Sequence, residues 1–250
     1  MNTHISVKFF RRFCTILLSS SLAIGAWVTP TFASDPDKDA LSNELTTMFR
    51  SARAVISQNQ GLINDASKGD KGLSAEVVIA KANENFIKAT GHDFGSDAAH
   101  EAMLSAIGSV MDQAQPLINE KDKGLKGFLP AIFAKQVADA FSSNMAGKMQ
   151  IKLTAPKAYV RNRANRPDKW EQMVIEEKFK ATGYAKGKPF SEIAKAKGKD
   201  AYRYILPEYY KDSCLKCHGD PKGERDITGG KKEGGKLGEL GGAISLTIFK

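Results

Sequence analysis

The sequence predicts an α+β protein in which a helical first half precedes a half built of strands and short helices. Up to about Ala146 the apolar residues recur every three or four positions, the period of one helix face; after Gly147 they alternate every second residue in three short runs, the period of a strand. A third observation gives the chain a centre: two thiols and an imidazole lie within five residues, Cys214-Leu215-Lys216-Cys217-His218.

The chain has 250 residues, enough for one or two domains with a substantial core. Its first segment reads as an address. Lys8, Arg11 and Arg12 form a basic start, Phe13 to Val28 an apolar run, and Thr31-Phe32-Ala33 the small residues that a signal peptidase reads. The expectation is cleavage after Ala33 and export to the periplasm. The rival reading, an uncleaved anchor, is weakened because the apolar run of roughly 16 residues is short against the roughly 20 of a spanning helix. No later stretch is apolar enough to span a bilayer, so no stable membrane insertion is expected. Loss of the leader lowers the formal charge from +9 to +6, and the remaining lysines are spread along the chain. With no dense basic and aromatic stripe, no nucleic-acid partner is expected.

After a polar tether, Leu41, Leu45, Met48, Phe49, Ala52, Val55 and Ile56, then Leu62 and Ile63, follow helical spacing. A Gly-, Lys- and Asp-rich loop is expected over Ser67 to Gly72, then a helix from Ser74, a cap candidate, to about Thr90, with Gly91 just beyond its end. The pattern then returns at an offset of 55. Between Val55–Leu73 and Val110–Phe128, ten of nineteen positions are identical, too many for chance, so a helix-loop-helix unit is read as duplicated. The second copy is expected to be helical from about Ser96 to Asn119, with Pro116 kinking or ending it, and again from Pro130 to about Ala146. Two copies are too few for a solenoid, so the units are expected to pack on one another or on the second half.

Met149 to Thr154 reads as a strand and Lys157 to Arg166 as a polar loop. Pro167 and Asp168 are expected to open a helix through Trp170, Met173, Val174 and Phe179, with the proline in its first turn. A short helix over Ser191 to Lys197 and a strand over Ala201 to Leu206 follow, and a last edge strand over Ala243 to Phe249. The Gly- and Lys-rich excursion before it carries seven glycines from Gly229 to Gly242. It lacks the strand-then-helix context of a phosphate loop and reads as a flexible turn.

The C-x-x-C-H spacing carries chemistry. Each thiol can add to one vinyl group of haem, and the adjacent imidazole is delivered to one face of the iron. Cys14 lies in the leader, so Cys214 and Cys217 are the only thiols of the expected mature chain. A redox disulfide and a metal site are the alternatives. Zinc usually takes four ligands, and a disulfide leaves His218 unexplained. The expected cofactor is one covalently attached haem c, with His218 as proximal ligand.

The second half resembles a known family. Arg161-Asn162, Asn165, Pro167 and Glu171 fit an R-N-x-x-N-x-P-x-x-x-E pattern; Arg203-Tyr204, Pro207, Cys214 to Pro221, Gly235-Lys236-Leu237-Gly238 and Gly242-Ala243-Ile244-Ser245 complete the set. Together they resemble exported single-haem c-type domains with a PAS-like fold, found alone in photosynthetic bacteria and as periplasmic sensor modules. The resemblance covers roughly Met111 to the C-terminus and implies a small antiparallel sheet flanked by helices. It divides the chain into a leader (1–33), a helical extension with the first repeat copy (34–110) and a PAS-like haem domain with the second copy (111–250).

Some relatives carry a ligating cysteine on the helix before a proline-containing turn. Aligned on Pro116, that position here is Met111, which makes it the candidate distal ligand, with core packing as the alternative reading. His92, His100, Met145, Met149 and an open site also remain. Arg161 and Asn162, with Asn165, Arg163 and Arg166 beside them, could meet the propionates or act structurally. Trp170, Tyr202 and Tyr204 are expected in the core. The function expected first is electron transfer or redox buffering with redox partner proteins. Next comes a redox or small-ligand sensor read by a partner, and least a peroxidase-like enzyme, because no distal acid–base pair is recognisable.

Overall fold

The computed structural model describes residues 35–250 together with Met1; the expected leader and its Cys14 otherwise lie outside the described residues. Helix α1 (Pro36–Gln58) starts on an Asp35 cap and is broken at Asn59 from one further turn, α2 (Gln60–Ile63). Helix α3 (Ala75–Thr90) begins and ends at the expected residues: Ser74 accepts from the Val77 N–H, and Gly91 closes the helix at φ +81°. Helix α4 (Ala98–Ile118) is capped by Asp97 and carries Pro116 in its final turn, and α5 (Pro130–Asn144) has its proline at the first position.

The repeat is visible in the hydrogen bonds. Gln60 Nε2 donates to the Phe128 carbonyl (3.0 Å), and its equivalent Gln115 donates to the Leu73 carbonyl (2.9 Å). In each loop a lysine ammonium is buried, 2 % exposed at Lys71 and 4 % at Lys126. Each donates to equivalent carbonyls of its own loop, Lys71 to Asp65 and Lys68, Lys126 to Glu120 and Lys123. Satisfying the ammonium in this way is what makes its burial tolerable. The copies therefore pack on one another with pseudo-two-fold reciprocity.

Four strands, β1 (Met149–Thr154), β2 (Phe190–Ala196), β3 (Lys199–Tyr209) and β4 (Leu240–Phe249), form an antiparallel sheet in the order β1-β4-β3-β2. The class is α+β, as expected. Alternation along the strands separates two cores. Tyr202, Tyr204 and Leu206 of β3 and Ile244 and Leu246 of β4 join the large core formed with α1, α3, α4 and α5. Ile205 and Ala243 face the other way, onto Trp170, Val174, Ile175 and Phe179. Tyr204 Oη also donates to Asn43 Oδ1 (3.0 Å), and Arg50 and Arg53 both pair with Glu208, tying α1 to β3. The described residues 35–250 lie within one compact unit, and the boundary expected at 110/111 falls inside α4.

Three local expectations are corrected. Ser191 to Ala196 is strand, not helix, and Lys197 begins the turn into β3: the segment's Ala and Lys favour a helix, but pairing Ile193 with Tyr202 and Ser191 with Tyr204 along β3 overrides that preference. β4 is central, not an edge, because it enters between β1 and β3. Asp168 caps α6 (Lys169–Met173) in a capping box with Glu171, so Pro167 precedes the helix instead of sitting in its first turn. The helix continues as a π turn through Val174–Phe179. Among the described residues no helix is long and apolar enough to cross a membrane.

Candidate functional site

The five-residue motif forms a short helix, α7 (Asp212–His218), which follows β3 directly. Both thiols are free and half-buried. Three residues apart on a helix, they lie near one face, with His218 one position beyond. Burial, with the nearby Asp226 carboxylate, pushes the Cys217 thiol up.

The excursion after α7 is a closed structure and not a flexible turn. Gly223 N–H donates to the Lys232 carbonyl (2.9 Å), Lys232 N–H to the Glu224 carbonyl (2.8 Å) and Asp226 N–H to the Gly230 carbonyl (2.8 Å), so the chain doubles back as a small hairpin. At its tip Asp226 accepts from Thr228 N–H (2.7 Å) and Thr228 Oγ1 (2.6 Å). Burial opposes its charge, but the bonds from Thr228 and Arg161 outweigh that and hold the carboxyl at about 2.

This hairpin is laid against the motif by Arg161. Its guanidinium pairs with Asp226 and Glu233 and donates through Nη2 to the Cys217 carbonyl (2.5 Å). Glu233 Oε2 in turn lies 2.8 Å from His218 Nδ1. Gly235 N–H donates to the His218 carbonyl (2.7 Å). The Tyr210 ring stacks on the imidazole with centroids 5.5 Å apart and planes at 21°. The excursion's glycines earn their place here through close approach. A Cβ on Gly235 would stand 2.3 Å from the Tyr210 ring, and one on Gly241 2.5 Å. Tyr159 packs at a tilt against Tyr210 and donates to Glu239 Oε1 (2.6 Å), which raises its hydroxyl to about 12.

Beside the motif, a cleft of about 350 Å³ opens between residues 158–161 and the hairpin, lined by Tyr159, Arg161, Lys222, Lys231, Lys232 and Glu233. Cations outnumber anions along it.

Of the sequence-predicted residues, the structure brings together Cys214, Cys217, His218 and Arg161. Asn162 stands next to Arg161 and caps the 3-10 turn Arg163–Asn165 through Ala164 N–H. Met111 is elsewhere: it is 0 % exposed in the large helical core, which contains no residue of α7. Met145 and Met149 pack against the same core, and both His100 nitrogens are engaged, Nδ1 at 2.8 Å from Asp97 and Nε2 at 2.9 Å from Glu44. Trp170, Tyr202 and Tyr204 are buried in the cores, as expected. Sequence reasoning missed Glu233, Asp226 and Tyr210. Only the crowded glycines from Gly229 to Gly242 hinted that backbone passes close to something there.

The donor set fits a covalently held haem. Two unpaired thiols share one helix, and the imidazole is tied through Nδ1, which leaves Nε2 for iron.

A protein-family model described as "Tll0287-like: Tll0287" matches residues 39–248. Among solved structures, the "Crystal structure of the cyanobacterial heme-protein Tll0287" is similar at a TM-score of 0.41 and 18% sequence identity, covering 62% of this chain and 98% of that one. No curated protein sequence matches.

Proposed function

The chain belongs to the Tll0287-like family, whose model spans residues 39–248, and from that premise we propose that it is an exported haem protein that carries electrons or buffers redox state. The observation that carries the reading is α7 itself, with two free thiols and an imidazole fixed through its Nδ1.

Bound haem supplies a one-electron ferric/ferrous couple. The chain's own residues do the rest. The Cys214 and Cys217 thiols would hold the haem covalently, each by adding across one vinyl double bond so that sulfur takes one carbon and the thiol hydrogen the other, with no oxidant consumed. His218, tied through Nδ1, would offer Nε2 to the iron. Lys222 and Lys231, which line the cleft, would meet the propionates. Arg161 already satisfies two carboxylates and a carbonyl, so its part is to hold the hairpin on α7. The leader over 1–33 would deliver the chain to the periplasm, where an electron-carrying role needs a redox partner protein and no catalytic chemistry.

The test is attachment followed by coordination. Purified protein denatured in detergent should keep its haem absorbance on the polypeptide, and Cys214→Ser with Cys217→Ser should lose it. Haem that stays with the denatured double variant, or leaves the denatured wild type, would refute covalent attachment. A low-spin iron that ignores carbon monoxide supports electron transfer; a high-spin iron that binds it readily would shift the reading to a ligand sensor read by a partner.

A further inference from the structure

A histidine ring has two nitrogens, and the partner of one decides which proton state the other presents. His218 Nδ1 lies 2.8 Å from Glu233 Oε2. That oxygen also accepts from Arg161 Nη2 at 3.1 Å, and the other carboxylate oxygen accepts from Arg161 Nε. A carboxylate held on two guanidinium nitrogens is an acceptor, so Nδ1 must be the donor. Glu233's side chain is 8 % exposed, so water competes little for it.

The imidazole is held toward this partner from two sides. The Tyr210 ring covers one face, and the Gly235 N–H holds the His218 carbonyl. Arg161 anchors the carboxylate from behind while gripping the Cys217 carbonyl, one residue before the histidine. The carboxylate, the ring and the motif's backbone thus form one hydrogen-bonded assembly. A carboxylate accepting from the far nitrogen draws that proton toward itself and makes the near nitrogen a stronger donor to metal, which favours the more oxidised ion.

We propose that Glu233 is the positioning residue for His218: it fixes the Nδ1–H tautomer, presents Nε2 to the haem iron and holds the reduction potential down. Arg161 limits the effect by sharing the same carboxylate. This inference rests on the haem reading above and extends it to a residue outside the C-x-x-C-H motif.

The experiment compares haem-loaded, full-chain wild type with Glu233→Gln and Asp226→Asn. Glu233→Gln keeps the side chain's shape and an acceptor oxygen but removes the charge from Nδ1. Asp226→Asn removes a carboxylate that is bonded to the same Arg161 and makes no bond to His218. Poised at the wild-type midpoint, Glu233→Gln should show about a tenfold higher ferrous-to-ferric ratio, an upward shift of about 59 mV for one electron. The g anisotropy of its ferric electron paramagnetic resonance spectrum should change with it. Asp226→Asn should move both far less. Equal shifts in the two variants would reduce the effect to through-space charge and overturn the proposal, as would an unmoved potential in Glu233→Gln. A wild type without thioether-bound haem would overturn the haem reading with it; haem retained with an unmoved potential would overturn this inference alone.

Discussion

Asn64 and Asn119 hold each other's loops: Asn119 Oδ1 accepts from the Lys71 N–H at 2.9 Å, and Asn64 Oδ1 accepts from the Lys126 N–H at 3.0 Å. The two asparagines are equivalent residues of the duplicated unit, so the pair is one interaction used twice. It explains what the duplication is for structurally. Each loop's backbone is completed by the other copy, and neither copy is satisfied by itself.

Symmetry makes the first prediction. Asn64→Ala and Asn119→Ala each leave one partly buried N–H without its partner, at a cost of about 1 to 3 kcal/mol. The two losses should be similar. Urea denaturation of each variant checks it; one costly and one silent substitution would mean that the copies are not equivalent.

Met111→Ala should remove a fully buried side chain from the helical core and cost about 2 to 5 kcal/mol. The ferric visible spectrum of the haem-loaded protein should stay unchanged. Stability comes from denaturant titration, and a spectral change would place Met111 at the iron after all.

Arg203 is 3 % exposed, stacks over Trp170 at 4.3 Å and pairs with Asp168 at 2.7 Å and with buried Glu171 at 3.5 Å. Arg203→Met would leave the buried Glu171 carboxylate with Lys152 and the Asp168 N–H alone, and should destabilise by about 1 to 3 kcal/mol. Thermal unfolding of the variant beside Arg203→Lys separates the lost stacking over Trp170 from the lost charge.

Acid should act on the hairpin through Asp226. Its carboxyl is lowered from 3.8 to about 2, so its charge stabilises the folded state above pH 3.8, and that contribution is lost as the pH falls through 2. Its size is on the order of 2 kcal/mol. The stability difference between wild type and Asp226→Asn should therefore be constant above about pH 4 and shrink from pH 4 to pH 2, measured by denaturant titration at each pH.

Gly235→Ala should clash with the Tyr210 ring, because the added carbon would stand 2.3 Å from it. The expected cost is about 1 to 3 kcal/mol, with a changed near-ultraviolet circular dichroism signal from the displaced tyrosine. An unchanged signal would argue that the hairpin does not close on Tyr210.

Much of the fold was legible because its signals are local. Ser74 and Gly91 bound α3 by capping chemistry that needs no distant partner. The alternation over Met149 to Thr154 marks β1, and the offset of 55 marks the repeat. The motif was legible for the same reason, since thiol, thiol and imidazole fall within a single helical turn or two. Ser191 to Ala196 was not, because its composition favours a helix and only β3 alongside makes it a strand. Arg161 could be picked out as a functional cation, but its partners Glu233 and Asp226 lie 72 and 65 residues away, and a lone glutamate in a Lys- and Gly-rich loop has no spacing that identifies it.

The sequence by itself determined the helical and stranded halves, the duplicated unit and the five-residue grouping of Cys214, Cys217 and His218, because each is written in the order and spacing of residues along the chain. Tertiary structure decided the rest. It set β4 between β1 and β3, buried Met111 among the helices, and brought Glu233 onto His218. These depend on which surfaces meet once the chain has closed, and burial and long-range pairing carry no local period from which to read them.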